Sequence, residues 1–230
     1  MILSSAAQML NSRGGGTPAW VPDGADGYLG FVTGQYFAGG AERSILTLLG
    51  GDFDPAAISA SGMRITPSNG NRSKAIGALF SDLTAGLAAG CTIVFDINSA
   101  ISPSGFLMFI GDDINFDLAD EAIFANANGF LADYWDLSIS DSISGSGLHK
   151  VAMTLARDVG GGDYEYAWCD DGGAAVTQTV NYLTHVSPVD TILFGHDGVG
   201  TGNSLNDIYI RSITLYPAKL PAELTALTAL

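Results

Sequence analysis

The run from Leu148 to Gly173 limits what this chain can become more than any other stretch. Val151, Met153 and Leu155 alternate with Ala152, Thr154 and Ala156, the two-residue period of a half-buried strand. Gly160, Gly161 and Gly162 then interrupt the run as a turn between strands would. Tyr164, Tyr166 and Trp168 alternate with Glu165, Ala167 and Cys169, so a second strand returns before the Asp170-Asp171-Gly172-Gly173 turn.

The rest of the chain repeats this grammar. Cys91–Asn98 is β-branched and aromatic, and Phe106–Ile110 is apolar on both faces, as an interior strand would be. Ile114, Phe116 and Leu118 alternate with Asp113, Asn115 and Asp117. Ala122–Ala125, Phe130–Ser140, Val176–Leu183 and Thr191–Phe194 complete the middle of the chain. In Asn206–Tyr216, Ile208 and Ile210 share one phase while Ile213 and Leu215 share another, which implies a register change between them. With 30 glycines in 230 residues, these short runs predict one all-β domain rich in turns. A chain of this length buries roughly 70–75% of its unfolded surface and needs no covalent staples. Cys91 and Cys169 fall in separate strands, where lone thiols act as small buried hydrophobes or join as a disulfide.

Charge narrows the partners. The net charge is −15, spread along the chain, so phosphate backbones are repelled and nucleic acid is not an expected partner. No Lys/Arg cluster in the sequence suits an anionic membrane, and the most apolar window, 75–95, is broken by Ser81, Asp82 and Thr84. The N-terminus lacks a basic start and a continuous apolar run, so the chain is expected to be made in a cytoplasm. Charged residues are only 14% against 47% hydrophobic, and mean hydropathy is +0.27. Either a large core carries a neutral surface, or other subunits cover part of that surface. Residues 1–24, with Gly14–Gly16, Pro18 and Pro22, read as an extended arm or linker. Holding it still costs about 1–2 kcal/mol per residue, which contact with its own domain or a neighbouring subunit must offset. The sandwich is expected to occupy 25–230.

The hairpin phrases His149–Thr154 and Tyr164–Gly172 resemble the central hairpin of concanavalin A-like (laminin-G-like) jelly-roll domains. Cys91–Asn98, the loop at 194–198 and the ending Asn206–Tyr216 followed by 219–227 resemble the same family. The resemblance implies a jelly-roll sandwich of two antiparallel sheets closed by a short C-terminal helix. Pro221 stands where the family has serine, so the helix loses its side-chain cap and should fray, with Leu224 and Leu227 packed on the sandwich. The segments Tyr28–Gly40, Ser44–Leu49 and Ser61–Pro67 resemble the opening of tailed-phage virion proteins, which start with an extended aromatic strand.

Candidate sites are few. Asp113, Asn115 and Asp117 offer calcium-type oxygen ligands, and some laminin-G-like domains bind calcium at a rim. Leu118 nevertheless stands where a calcium loop needs glycine, and Phe124 where it needs a bidentate acid. On a strand they simply form a polar face, so no cofactor and no metal are expected. Retaining glycoside hydrolysis needs two close carboxylates. Glu165 has no partner two residues away, and His149, His185 and His196 lie on different elements, so no catalytic residue is assigned. Gly160–Gly162 leads into a strand rather than a helix, unlike a phosphate loop. Asp133, Tyr134, Trp135 and Asp136 combine aromatic faces with carboxylates, the chemistry of a glycan site. Within a strand, Tyr134 and Trp135 would point opposite ways and only one could be displayed. The competing reading puts Trp135 in the core. The expectation is a non-enzymatic phage structural or decoration protein of a capsid, tail or fibre, located in the virion. It would be a homo-oligomer contacting other virion proteins through its arm. The alternative is a carbohydrate-binding module for host surface polysaccharide, and a polysaccharide hydrolase is third.

Overall fold

The computed structural model describes residues 17–45, 58–65, 90–100, 106–111, 123–126, 129–133, 137–181, 191–194 and 208–230. With strands numbered in chain order, the large sheet runs β13 (Val176–Val180), β12 (Asp163–Asp170), β11 (Gly147–Gly160), β6 (Cys91–Ser99), β15 (Ile208–Pro217), β1 (Gly27–Gly30), β2 (Gln35–Ala38), β3 (Ala41–Ser44). Its β15 pairs with β5 (Gly62–Ile65) along its first half and with β1 along its second, and β4 (Ile58–Ser59) pairs with β5. The second sheet runs β10 (Ser138–Ser140), β9 (Phe130–Asp133), β8 (Ile123–Asn126), β7 (Phe106–Gly111), β14 (Thr191–Phe194). Among the described residues every pairing in both sheets is antiparallel. The jelly-roll class expected from the sequence is the fold observed.

Alternation places the core. Tyr166 and Trp168 of β12, Val151, Met153 and Leu155 of β11, Phe95 and Ile97 of β6, and Ile208 and Ile210 of β15 all point inward. They meet Leu107, Ala125, Leu131 and Ile139 of the second sheet. The register change in β15 is a bulge between Ile210 and Ser212, where the Arg211 carbonyl leaves the ladder and accepts the Phe31 N–H at 2.9 Å. The central hairpin turns through Gly160, Gly161 and Gly162, all at positive φ (89°, 72°, 90°). It also holds a bulge between Thr154 and Arg157, with Ala156 at φ 54°. The segment expected as one extended aromatic strand from Tyr28 is instead the β1–β2 hairpin, closed where Gly34 N–H reaches Gly30 O at 2.8 Å.

Part of the outer face of the large sheet is covered. Helix α1 (Pro221–Thr228) packs Leu224, with Leu227, onto Val94, Ala152, Ala167, Cys169 and Tyr216. Leucine at position 220 offers no side-chain cap, as expected, but the Glu223 carboxylate reaches back to accept the Leu220 N–H at 2.8 Å, one half of a capping box. The far end does not fray either. Buried Thr228 donates to Leu224 O at 3.0 Å and accepts the Gly172 N–H at 3.0 Å. Thr92 and Thr154 share a 2.8 Å hydrogen bond under the helix and hold the Lys219 backbone on both sides.

Residues 17–24, read from sequence as arm, lie on this same domain. Trp20 packs tilted on Tyr28 with ring centroids 5.9 Å apart, and Val21 is buried. Asp26 N–H then bonds Leu215 O at 2.8 Å. Residues 1–16 lie outside the described residues. Among the described residues no helix is long and apolar enough to cross a membrane.

Candidate functional site

Asp133 is the last residue of β9, and the pairing of Ala132 with Ser138 makes the Asp-Tyr-Trp-Asp run the link from β9 to β10. Within the expected run 130–140, β9 covers Phe130–Asp133 and β10 covers Ser138–Ser140. The side chain of Asp133, and Tyr134, Trp135 and Asp136, lie outside the described residues. β10, an edge strand of the second sheet, meets β13, an edge strand of the large one, through Ser138 N–H and Gln178 Oε1 at 2.8 Å. Asp113, Asn115, Asp117, His185 and His196 also lie outside the described residues. Among the described residues no group of three His, Cys, Asp or Glu side chains is placed to hold a metal.

Glu165 is engaged by a cation. Arg157 donates to Glu165 Oε1 through Nε at 2.8 Å and through Nη2 at 2.5 Å, across paired positions of β11 and β12. A carboxylate held this way is a poor nucleophile. Tyr166 and Trp168 are fully buried, so they form core and not a platform. His149, the third residue of β11, is buried, with Nδ1 2.7 Å from Asp171 Oδ2 and Nε2 3.3 Å from Gly145 O. The other oxygen of Asp171 accepts the Lys150 N–H at 2.8 Å, so this side chain closes the turn after β12. Burial pushes the neighbouring Asp170 carboxyl above the usual range; the Trp168 indole N–H (3.1 Å) opposes this, and Asp141 and Asp171 add to it. The cluster is a structural clasp. Both cysteines are buried and unbridged, and burial is the main cause that raises each thiol's pKa.

The outer face of the large sheet gathers residues that sequence reasoning did not single out. One cross-strand row runs Arg64, Tyr209, Asn98, Leu148 over β5, β15, β6 and β11. Each points outward, because its strand neighbours Met63, Ile208, Ile210, Ile97, Ser99 and His149 are buried. The next row holds Ser212, Asp96 and Lys150. Arg211, displaced by its bulge, approaches Asp96 Oδ2 with Nε at 3.4 Å. Burial raises the Asp96 carboxyl, while Arg211 and Lys150 pull it down. Lys150 Nζ also donates to Ala229 O at 2.9 Å. Arg64 is exposed, Leu148 is 46% exposed, and Tyr209 and Asn98 are half-buried. No short-range signal could have joined positions 64, 98, 150 and 209; only the strand order does.

No family model matches the chain, and no curated protein matches it. Among solved structures, the CBM40 module of the Ruminococcus gnavus IT-sialidase is similar at TM-score 0.50 and 15% identity, over 69% of this chain and 93% of that one. The same module bound to α2,3-sialyllactose gives TM-score 0.49 at 17% identity, over 67% of this chain and 89% of that one. The leech intramolecular trans-sialidase gives 0.49 at 14% identity, over 69% of this chain and 26% of that one. What the likeness at TM-score 0.50 establishes is the fold, a lectin-like β-sandwich.

Proposed function

We propose that the chain is a non-catalytic carbohydrate-binding module. The observation that carries this reading is the Asp133–Asp136 run. In the sequence it offers aromatic and carboxylate chemistry between the segments that form β9 and β10, and connections between strands are where binding residues are usually mounted. A sandwich similar over nearly the whole length of a carbohydrate-binding module supports it. So does the engagement of Glu165 by Arg157, which removes the best single carboxylate from hydrolytic work. The virion-component reading draws on the resemblance of residues 28–67, and its homo-oligomer and arm docking on the low charge content and residues 1–24; nothing among the described residues adds to it.

A glycan array probed with the wild-type chain and with Trp135→Ala tests the proposal. The expected result is a defined set of bound glycans whose signal falls at least about tenfold in the variant, as loss of a stacking aromatic implies. A folded wild-type chain that binds no glycan contradicts it.

A further inference from the structure

In an Asp-Gly pair the glycine nitrogen meets little steric hindrance on its way to the aspartate's own carboxyl, because glycine lacks a Cβ and turns freely. Among the described residues the pair occurs at Asp23–Gly24, Asp26–Gly27 and Asp171–Gly172, and the fold treats the three differently. At Asp171–Gly172 the reacting groups are held. The Gly172 N–H donates to Thr228 Oγ1 at 3.0 Å, and the Gly173 N–H closes the turn on Asp170 O at 2.7 Å. The Asp171 carboxylate accepts the Lys150 N–H at 2.8 Å through Oδ1 and lies 2.7 Å from His149 Nδ1 through Oδ2. At Asp26–Gly27 the glycine is buried at the start of β1, and the Asp26 N–H bonds Leu215 O. Asp23–Gly24 is the exception. Both residues are exposed, and nothing lies within 4 Å of where a Cβ would stand at Gly24. Among the described residues no hydrogen bond engages the Asp23 carboxylate or the Gly24 N–H. The turn around them is closed by the Ala25 N–H on Pro22 O at 3.0 Å, with Gly24 at φ 75°. From this contrast we infer that Asp23 is a site of spontaneous isomerisation, where the chain rearranges its own backbone.

The chemistry needs only the chain and water. The Gly24 nitrogen attacks Cγ of the protonated Asp23 carboxyl. A C–N bond forms, and the carboxyl hydroxyl leaves as water with the proton the nitrogen gives up, which closes a five-membered succinimide ring. Water then adds to one ring carbonyl, and the C–N bond to that carbonyl breaks. Opening at Cγ restores aspartate. Opening at the main-chain carbonyl leaves isoaspartate, with the backbone running through Cβ and Cγ and a free carboxylate on Cα. The water consumed equals the water released, so the mass is unchanged. The peptide plane between residues 23 and 24 must turn for the attack, which gives up the Ala25–Pro22 bond. At 171–172 the same movement gives up the bonds of Gly172, Asp171 and Gly173 together, and each lost bond slows it further. The product adds one backbone atom to the segment 17–26, between buried Val21 and the Asp26 bond to Leu215 that hold it on the large sheet.

Ageing the full chain at neutral pH, in native buffer and in guanidinium chloride, tests this. Isoaspartate is located by electron-transfer fragmentation of the tryptic peptides. In native buffer it is expected to form at Asp23 at least about tenfold faster than at Asp171. In guanidinium chloride, where the fold no longer separates the two pairs, the rates are expected to converge. Asp23→Glu, which would have to close a six-membered ring, is expected to form none at position 23 and to leave Asp171 as in wild type. Thr228→Val, which removes the acceptor of the Gly172 N–H, is expected to raise the native rate at Asp171. Equal native rates at Asp23 and Asp171 overturn the inference. So does a folded chain with no isoaspartate at Asp23 when the unfolded chain forms it. A difference between the sites that persists unchanged on unfolding would place its cause in the local sequence, and overturns the inference equally.

Discussion

At the scale of single residues, two buried groups matter more than their size suggests. The Thr228 hydroxyl satisfies a backbone N–H in the turn after β12 and is itself fully buried. Thr228→Val keeps the shape and deletes the partner, so it should cost about 1–3 kcal/mol in urea unfolding. Thr228→Ser should cost clearly less, and equal losses would show that the hydroxyl is not what holds the turn. Cys91 is the second case. Burial, with Asp26 adding, pushes its thiol from 9.0 up to about 12. The unfolded chain gives up that proton first, so the stability tied to the neutral thiol is whole below pH 9 and is lost as pH rises toward 12. Cys91→Ala should therefore lose stability less steeply than wild type between pH 9 and 11. Parallel slopes would contradict that.

Among the elements, sequence legibility depended on whether a pattern broke visibly. The β11–β12 hairpin could be read because its alternation is regular and its glycines stand together, and the β15 bulge because Ile210 and Ile213 fall out of phase. The bulge at Ala156 left no trace, since Leu155 and Ala156 are both apolar and buried. Helix α1 showed its missing cap but not the bond that Glu223 makes to the Leu220 N–H, because Glu223 acts from inside the first turn. Glycines divide the same way. Gly62 has φ 120°, and a Cβ there would lie 2.4 Å from Ile210 O, beside the β15 bulge. Gly161 has φ 72° with nothing within 4 Å. Gly62→Ala should cost about 2 kcal/mol or more in urea unfolding, against about 1 kcal/mol for Gly161→Ala. Equal costs would mean that close backbone approach at Gly62 is not what selects glycine.

For the molecule as a whole, the sandwich was legible because each strand advertises its own buried face. The outer face was not, because its membership is set by which strands become neighbours. Arg64 meets Tyr209, and Asp96 meets Lys150, only through pairings between distant segments. The Asp133–Asp136 run was legible as chemistry, and β9 ends at its first residue. Carbohydrate recognition at that link is the central claim, and the indole N–H signals test it most directly. The chain has three tryptophans. Trp168 is fully buried with its N–H bonded to Asp170, and Trp20 is packed on Tyr28. In a ¹⁵N-labelled sample titrated with an array-positive glycan, the Trp135 indole signal should move in a saturable way while that of Trp168 stays in place. A bound glycan that leaves the Trp135 signal unmoved would contradict the account.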